Sequence, residues 1–133
     1  MMTDAVGIEQ GRAAFAYAKV VEVKEKHKAC EKEYKGYVKN VPMLIKVNGL
    51  GAAFAFIQAK SKGTDKRAEA YRQIYNQTFE WLKHQGRLHG EDLIDEIIKQ
   101  KSVQYRVVTA EVLALFNWLR RFVDGLIEGE GTE

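Results

Sequence analysis

The feature that most constrains this fold is the presence of a single proline, Pro42, in 133 residues. Proline interrupts helices more strongly than any other residue, so its scarcity leaves long stretches free to be helical. Apolar residues recur at three- and four-residue intervals, and strand-like alternation is absent over any useful length. We therefore predict an all-α fold, a compact single-domain bundle of five to seven helices over residues 1–128, with a flexible tail at 129–133.

The segment 42–57 is where the chain is expected to change direction. It places the proline and an Asn-Gly turn signal at 48–49 between apolar stretches of helical length. We predict a kink or short break at Pro42 and, after the turn, a central helix over 50–60 that is buried on nearly all sides. The segment carries no phosphate-loop pattern such as G-x-G-x-x-G, so nucleotide binding is not indicated.

Long helices are predicted near both ends of the chain. Over residues 8–27, Ala14, Ala18 and Val21, with Ala13, Tyr17 and Val20 beside them, form an apolar stripe at helical spacing. Near the C terminus, a continuous apolar face follows an N-cap at Thr109 and ends near residue 128. Both patterns are typical of helices that pack one face on a core.

Two further helices are indicated between these ends. One begins after a cap at Thr64 or Asp65 and ends before Gly86, where a left-handed C-terminal cap is useful. The other is a short acidic helix over about 91–101, whose early carboxylates complement the helix dipole. Its isoleucines, Ile98 included, are expected to face inward.

The composition favours a soluble, unprocessed protein of the cytoplasm. The single cysteine, Cys30, cannot form an intrachain disulfide, which suits a reducing compartment. Residues 1–10 carry no basic segment followed by an apolar core, and no stretch reaches the roughly 18 apolar residues of a membrane span. We therefore expect no contact with a membrane.

Charge is distributed unevenly along the chain. Residues 1–72 hold 14 Lys and Arg against 8 Asp and Glu, whereas residues 73–133 hold 7 against 10. The first part is therefore basic, at +6, and the second acidic, at −3. Such a basic half attracts a polyanion such as RNA, docks on an acidic protein, or forms an ordinary solvated surface.

Residues that often carry catalysis are not arranged for it. The three histidines form no H-x-x-x-H or H-E-x-x-H pattern, and Cys30 has no neighbour at metal-ligand spacing. We therefore predict no metal, no cofactor and no catalytic residue. One alternative is left open, a small ribonuclease, because His84 and His89 flank a Gly-Arg-Leu turn and imidazole titrates near neutrality.

Four aromatic or basic residues are candidates for contact with a partner. Tyr34 and Tyr37 lie among lysines, so they either pack against a neighbouring helix or stack on bases. Trp118 falls off the main stripe of the last helix, on the side of Arg121, and either packs on a second helix or marks a partner surface. Trp118 and Arg121 are therefore candidate protein-interface residues.

An ordered set of short elements runs through almost the whole chain. It comprises Arg12, Tyr34-Lys35 with Tyr37 and Lys39, Pro42, Leu44-Ile45, Asn48-Gly49-Leu50-Gly51, Ala55-Phe56, Trp81-Leu82, Tyr105, Thr109-Ala110-Glu111 and Asn117-Trp118-Leu119-Arg120-Arg121-Phe122. At this length and helical content, the set resembles the small all-helical subunit of the type III-B CRISPR effector, the Cmr RNA-targeting complex. No single element is diagnostic, whereas the ordered set is fairly specific.

The resemblance implies a non-catalytic subunit that stacks along backbone subunits and helps to hold target RNA. The implied partners are the backbone and large subunits of the Cmr complex, target RNA and other copies of the chain itself. The resemblance implies no catalytic motif. We therefore choose the candidate RNA-binding residues by their local positive charge, and they are Arg12, Lys19, Lys46, Lys60, Lys62, Lys66 and Arg67. A purely protein-interacting helical scaffold is the main alternative.

Overall fold

The computed structural model describes residues 4–129, which form six α-helices, one 3₁₀ turn and no strand. In chain order the elements are α1 (Asp4–Lys26), the 3₁₀ turn (Lys28–Cys30), α2 (Glu31–Asn48), α3 (Leu50–Lys60), α4 (Lys66–His84), α5 (Leu93–Ile98) and α6 (Ser102–Leu126). The predicted all-α bundle of five to seven helices is confirmed. The tail predicted at 129–133 lies outside the described residues except for Gly129.

The helices pack around one hydrophobic core with α2 near its centre. The two longest helices, α1 and α6, contact each other, while α2 packs on α3, α4 and α6. The short α5 lies against α3 and α6. The largest fully buried side chains include Tyr34 from α2, Phe54 from α3 and Phe116 from α6. All three rings belong to the same hydrophobic core.

The apolar stripe predicted for α1 is right at Val20 but wrong at Ala14, Ala18 and Tyr17. The buried residues are Ala16, Val20 and Val23, whereas Ala14 and Ala18 are exposed. The N-terminal half of α1 is rich in alanine on several sides, so its periodicity does not define a single face. Contact with α6 selects the face that is buried.

Of the kink or short break expected at Pro42, the break is absent, because α2 continues through the proline to Asn48. Buried residues before and after it, Val38 and Ile45 among them, anchor both parts of the helix to the core. The chain turns instead at Gly49, whose φ of 87° and ψ of 160° belong to a region that only glycine occupies readily. The Asn-Gly turn signal is therefore confirmed.

The predicted burial of α3 on nearly all sides is only half right. Ala53, Phe54 and Ile57 are buried, but Ala52 and Phe56 are exposed. Neighbours cover α3 on one side, with α2 and α4 flanking it, so its other side reaches solvent despite the apolar composition. An exposed apolar side chain of this size is a feature of the surface that needs a reason.

The helix ends agree with the predicted caps in two of three cases. The Asp65 carboxylate accepts a hydrogen bond from the Ala68 N–H at 2.9 Å and caps α4, and Gly86 adopts a φ of 72° after its end. Thr109 is not a cap, since α6 begins at Ser102 and the Thr109 hydroxyl donates within the helix. Ile98 was expected to face inward but is 65% exposed.

Candidate nucleic-acid interface

The turn between α3 and α4 is held in one conformation by a single arginine. Arg72 donates hydrogen bonds to the carbonyl oxygens of Ser61 and Gly63 at 2.8 and 2.6 Å, and to the Glu69 carboxylate at 2.7 Å. Gly63 adopts a φ of 117°, which lets the chain reverse tightly before the Asp65 cap. The backbone of this turn is therefore ordered before any partner binds.

Four of the predicted RNA-binding residues lie on or beside this turn, namely Lys60, Lys62, Lys66 and Arg67. All four are exposed. Among the described residues, Lys66 alone of the four is near a carboxylate, with its Nζ 3.6 Å from the Glu33 Oε2. We call these four residues the basic turn. Four cations within eight residues, with one weak internal ion pair, leave most of their charge available to an anion.

Lys46 lies apart from the basic turn in sequence, near the C-terminal end of α2. It is exposed and has no carboxylate partner within residues 4–129. Its charge adds to that of the same basic half of the chain.

Two other candidates, Arg12 and Lys19, are engaged in internal contacts from α1. The Arg12 guanidinium donates from Nε and Nη2 to the two oxygens of Glu111 at 2.7 and 2.9 Å. The Lys19 Nζ lies 2.9 Å from the Glu80 Oε1. Because these cations are already paired with carboxylates on other helices, they have less charge to offer a phosphate than the basic turn has.

Glu111 is the centre of a buried polar cluster rather than a surface group. It is 4% exposed and also accepts a hydrogen bond from the Trp81 indole at 2.9 Å. Burial alone raises the pKa of this carboxyl, but hydrogen bonds from Arg12 and Trp81 outweigh it and hold the pKa below its ordinary value. The cluster joins α1, α4 and α6.

The candidate interface pair, Trp118 and Arg121, forms a small surface cluster. The Trp118 indole donates to the Glu9 carboxylate of α1, and its ring stacks on Phe122 at 5.7 Å between centroids. The Arg121 guanidinium lies 5.2 Å from the centre of the Trp118 ring. Trp118 thus packs toward α1, and Arg121 remains exposed beside it.

Tyr34 and Tyr37 are both buried, so they pack against neighbouring helices and do not present their rings for stacking on bases. The Tyr34 hydroxyl donates to the Gln77 side chain at 2.6 Å, and burial raises the pKa of Tyr34 well above its ordinary range. Tyr37 stacks on Tyr71 with 4.0 Å between ring centroids. Burial also raises the pKa of Cys30 to about 11, which is the behaviour of an unreactive thiol.

The histidines do not converge on a common group in the described contacts. His84 stacks against the Trp81 ring at 5.8 Å, while the His89 backbone N–H donates to Glu96. Within residues 4–129, no three His, Cys, Asp or Glu side chains are placed to hold a metal ion. Over the same residues, no helix combines the length and apolar character that crossing a membrane requires.

An open cleft lies beside α2, and none of the sequence patterns predicted it. Its volume is about 450 Å³, with Met43, Leu44 and Val47 along α2 and with Phe56 and Tyr71 on the opposite wall. We call it the α2 cleft. The available signal was the spacing of Met43 and Val47, four residues apart and off the buried stripe of α2, but a helix in isolation does not show which apolar face is left uncovered.

Comparison with known proteins shows which family this chain is similar to. The family described as CRISPR-associated protein (Cas_Cmr5) matches residues 8–126. This chain belongs to the Cmr5 family. A protein named CRISPR system Cmr subunit Cmr5, from Thermus thermophilus, is 30% identical over 96 residues, which are 72% of this chain and 76% of that protein.

A solved structure supports the same family at the level of the fold. The X-ray crystal structure of a CRISPR-associated Cmr5 family protein, also from Thermus thermophilus, superposes with a TM-score of 0.72 at 28% identity. The match covers 96% of this chain and all of that one. As a Cmr5-family member, the chain is a small subunit of the multi-subunit Cmr complex, and the matched range contains both the basic turn and the α2 cleft.

Proposed function

We propose that this Cmr5-family chain is a non-catalytic subunit that helps to hold target RNA and stacks along the backbone subunits of the Cmr complex. The observation that carries the proposal is the basic turn, where Lys60, Lys62, Lys66 and Arg67 are exposed on a backbone that Arg72 fixes. Single-stranded RNA presents a regular series of phosphates, and exposed cations bind them without regard to base sequence.

The fixed backbone strengthens this proposal. A flexible loop loses conformational entropy when it binds, whereas the Arg72 hydrogen bonds to Ser61 and Gly63 have already ordered this one. The exposed Asp65 carboxylate accepts the Ala68 N–H and caps α4, and it places one negative charge among the four cations, so residues 60–67 keep a net charge of +3 (four minus one). Contact with RNA then requires ordering of lysine and arginine side chains only.

The test is a variant that removes most of the charge of the basic turn: Lys60→Glu, Lys62→Glu and Lys66→Gln. Glutamine is chosen at position 66 because a new carboxylate there would face the buried Glu33. In the assembled complex, target-RNA affinity should fall about ten-fold or more at low salt. The slope of log affinity against log salt should decrease by about 2, for three phosphate contacts on a single strand.

The matched control removes the same charge elsewhere, through Lys26→Glu, Lys101→Glu and Arg106→Gln. These three residues are exposed and have no carboxylate partner among the described residues. The control should retain RNA affinity within about two-fold, because these three positions are not expected to contact phosphates of the target RNA. Equal loss in both variants would show an effect of net charge alone, and no loss in the basic-turn variant would remove the assignment.

The non-catalytic part of the proposal has its own readout. The purified chain should leave single-stranded RNA intact over a long incubation. Cleavage that is abolished by His84→Ala or His89→Ala, in a preparation free of other nucleases, would contradict it and support the ribonuclease alternative.

A further inference from the structure

The α2 cleft exposes apolar side chains in a line along a helix. Met43 is 64% exposed and Val47, one turn further on, is 70% exposed, while Phe56 on the opposite wall is 42% exposed. From Tyr37 to Asn48 the α2 wall extends for about 16 Å at 1.5 Å per residue. A contiguous apolar groove of this length on a small domain is typical of a surface that another polypeptide covers.

The chemistry of the walls favours a protein occupant over RNA. Tyr37 and Tyr71 stack face to face, with an interplanar angle of 12°, so each ring covers a face of the other. The Lys60 ammonium lies 5.5 Å from the centre of the Phe56 ring. Most of the remaining wall is aliphatic, with side chains such as Met43 and Val47 that offer a nucleobase no π-face and no hydrogen bond. The wall also includes the amides of Asn40 and Asn48, and the Asn48 amide donates to the Leu44 carbonyl at 3.3 Å within α2.

The charges around the α2 cleft favour a partner that carries acidic residues next to its apolar ones. Between Tyr34 and Ala68 the chain contains seven Lys and Arg and one acidic residue, Asp65, whose carboxylate caps α4. Arg67 is exposed in the first turn of α4, four residues before Tyr71 on the same helix, so it lies one turn from the cleft wall that Tyr71 forms. Lys46 is exposed next to Val47 in the sequence.

We propose that the α2 cleft binds one amphipathic helix of a different protein, with its apolar side in the cleft and flanking Asp and Glu residues facing Lys46 and Arg67. The groove supplies about three turns of apolar surface, which matches anchors at positions i, i+4 and i+7 of such a helix. Arg67 is shared with the basic turn, whereas the apolar side chains Met43, Val47 and Phe56 are not among the residues assigned to RNA, so variants of those three test docking separately from RNA binding.

A second copy of the chain fits the cleft less well on grounds of charge. Among its other exposed apolar side chains, Val103 and Val107 lie beside Arg87 and flank the exposed Arg106, so docking this pair would bring like charges together. Tyr17 on α1 is also exposed, but its ring already packs against Phe122 of α6. The acidic helix α5 has six residues, and the Asp95 carboxylate is held by Lys99 at 2.6 Å. It is too short to fill a groove of three turns.

The test uses photocrosslinking in the complete Cmr complex, reconstituted from its subunits and guide RNA. A p-benzoylphenylalanine in place of Val47 should crosslink to one segment of another protein subunit, identified by mass spectrometry. That segment should carry apolar residues every three or four positions with Asp or Glu between them. Crosslinks to nucleotides, to a second copy of this chain, or to no polymer at all would each overturn the proposal.

Two variants test the apolar and charged parts separately. With the photoprobe at position 47, Lys46→Glu and Arg67→Glu should lower the crosslink yield several-fold, and more at low salt than at high salt. With the photoprobe at Phe56, Met43→Glu should lower it at least ten-fold, whereas the matched control Val103→Glu should not change it. Unchanged yield in the Met43→Glu complex, with helical circular dichroism intact, would show that the cleft is not the docking site.

Discussion

At the scale of single residues, Glu111 shows how a buried charge is accommodated in this bundle. Its two carboxylate oxygens accept three hydrogen bonds, two from the Arg12 guanidinium and one from the Trp81 indole. Arg12 is itself held by Glu9, at 2.7 Å on the exposed side. Removing the Glu111 carboxylate therefore leaves the Trp81 indole and one side of the Arg12 guanidinium without an acceptor. This loss costs more free energy than the intact Arg12–Glu111 pair contributes to stability.

We predict that Glu111→Gln lowers the free energy of unfolding by about 2–3 kcal/mol, because the Arg12 guanidinium loses the buried one of its two carboxylate partners. Urea denaturation followed by circular dichroism measures this value. The matched control is Glu80→Gln, which removes the partner of Lys19 at a site where the carboxylate is 56% exposed. That change should cost at most about 1 kcal/mol, and an equal loss in both variants would contradict a special role for Glu111.

The same carboxylate predicts a dependence of stability on pH. The pKa of Glu111 is lower in the folded chain than its ordinary value of 4.5, so its ionised form contributes stability that is fully present above about pH 4.5. This contribution is lost as the pH falls through the lowered native pKa. The difference in unfolding free energy between the wild type and Glu111→Gln should therefore shrink below about pH 4.5, and a constant difference down to about pH 3 would refute the linkage.

At the scale of elements, the boundary between α2 and α3 depends on one backbone conformation. Gly49 combines a φ of 87° with a ψ of 160°, and its N–H donates to the Ile45 carbonyl at 2.7 Å. Just beyond it, the Gly51 N–H donates to the Tyr105 hydroxyl of α6 at 2.9 Å. The turn therefore sets the angle at which α3 meets the rest of the bundle.

We predict that Gly49→Ala destabilises the fold by about 1–3 kcal/mol, because a Cβ atom makes this backbone conformation strongly unfavourable. The matched control is Gly125→Ala, at a helical position of α6 with open space around the added Cβ. That substitution should raise stability by about 0.5–1 kcal/mol through better helix propensity. Thermal unfolding of both variants measures the difference, and a neutral Gly49→Ala would show that the turn relaxes.

The elements that were predictable from sequence are those specified by local chemistry. The Asn-Gly turn, the Asp65 cap and the left-handed Gly86 each follow from a preference of one or two residues. The break expected at Pro42 and the N-cap expected at Thr109 are absent. At both positions, packing of the helix before and after the residue outweighed a local signal for interrupting or starting the helix. Propensity is a small term beside the burial of a helix face.

At the scale of the whole molecule, the two candidate contact surfaces are formed by the same part of the chain. The basic turn and the α2 cleft both lie within residues 37–71, and Lys60 touches both because it covers the Phe56 ring. The first was predictable, since lysines are counted directly in the sequence. The α2 cleft was not, because which side of α2 and α3 remains uncovered depends on where α4 and α6 pack.

The last prediction concerns whether these two surfaces act independently. One complex carries Lys62→Glu with Lys66→Gln in the basic turn, and another carries Met43→Glu with Val47→Glu in the α2 cleft. The first pair should weaken target-RNA binding without changing how much of the chain enters the complex, and the second should reduce entry into the complex. Lys60 is left unchanged in both, since it contacts the Phe56 wall of the cleft.

When both pairs are combined, the loss of chain from the complex should equal that of the cleft pair alone. RNA affinity per assembled chain should equal that of the turn pair alone, within about 0.3–0.5 kcal/mol for each readout, since the pairs share no partner residue. Quantitative mass spectrometry of the purified complex gives the amount of chain, and filter binding of labelled RNA gives the affinity. Coupling well beyond that limit would mean that RNA and the docked helix share one surface, and that a single partner site should replace the two proposed here.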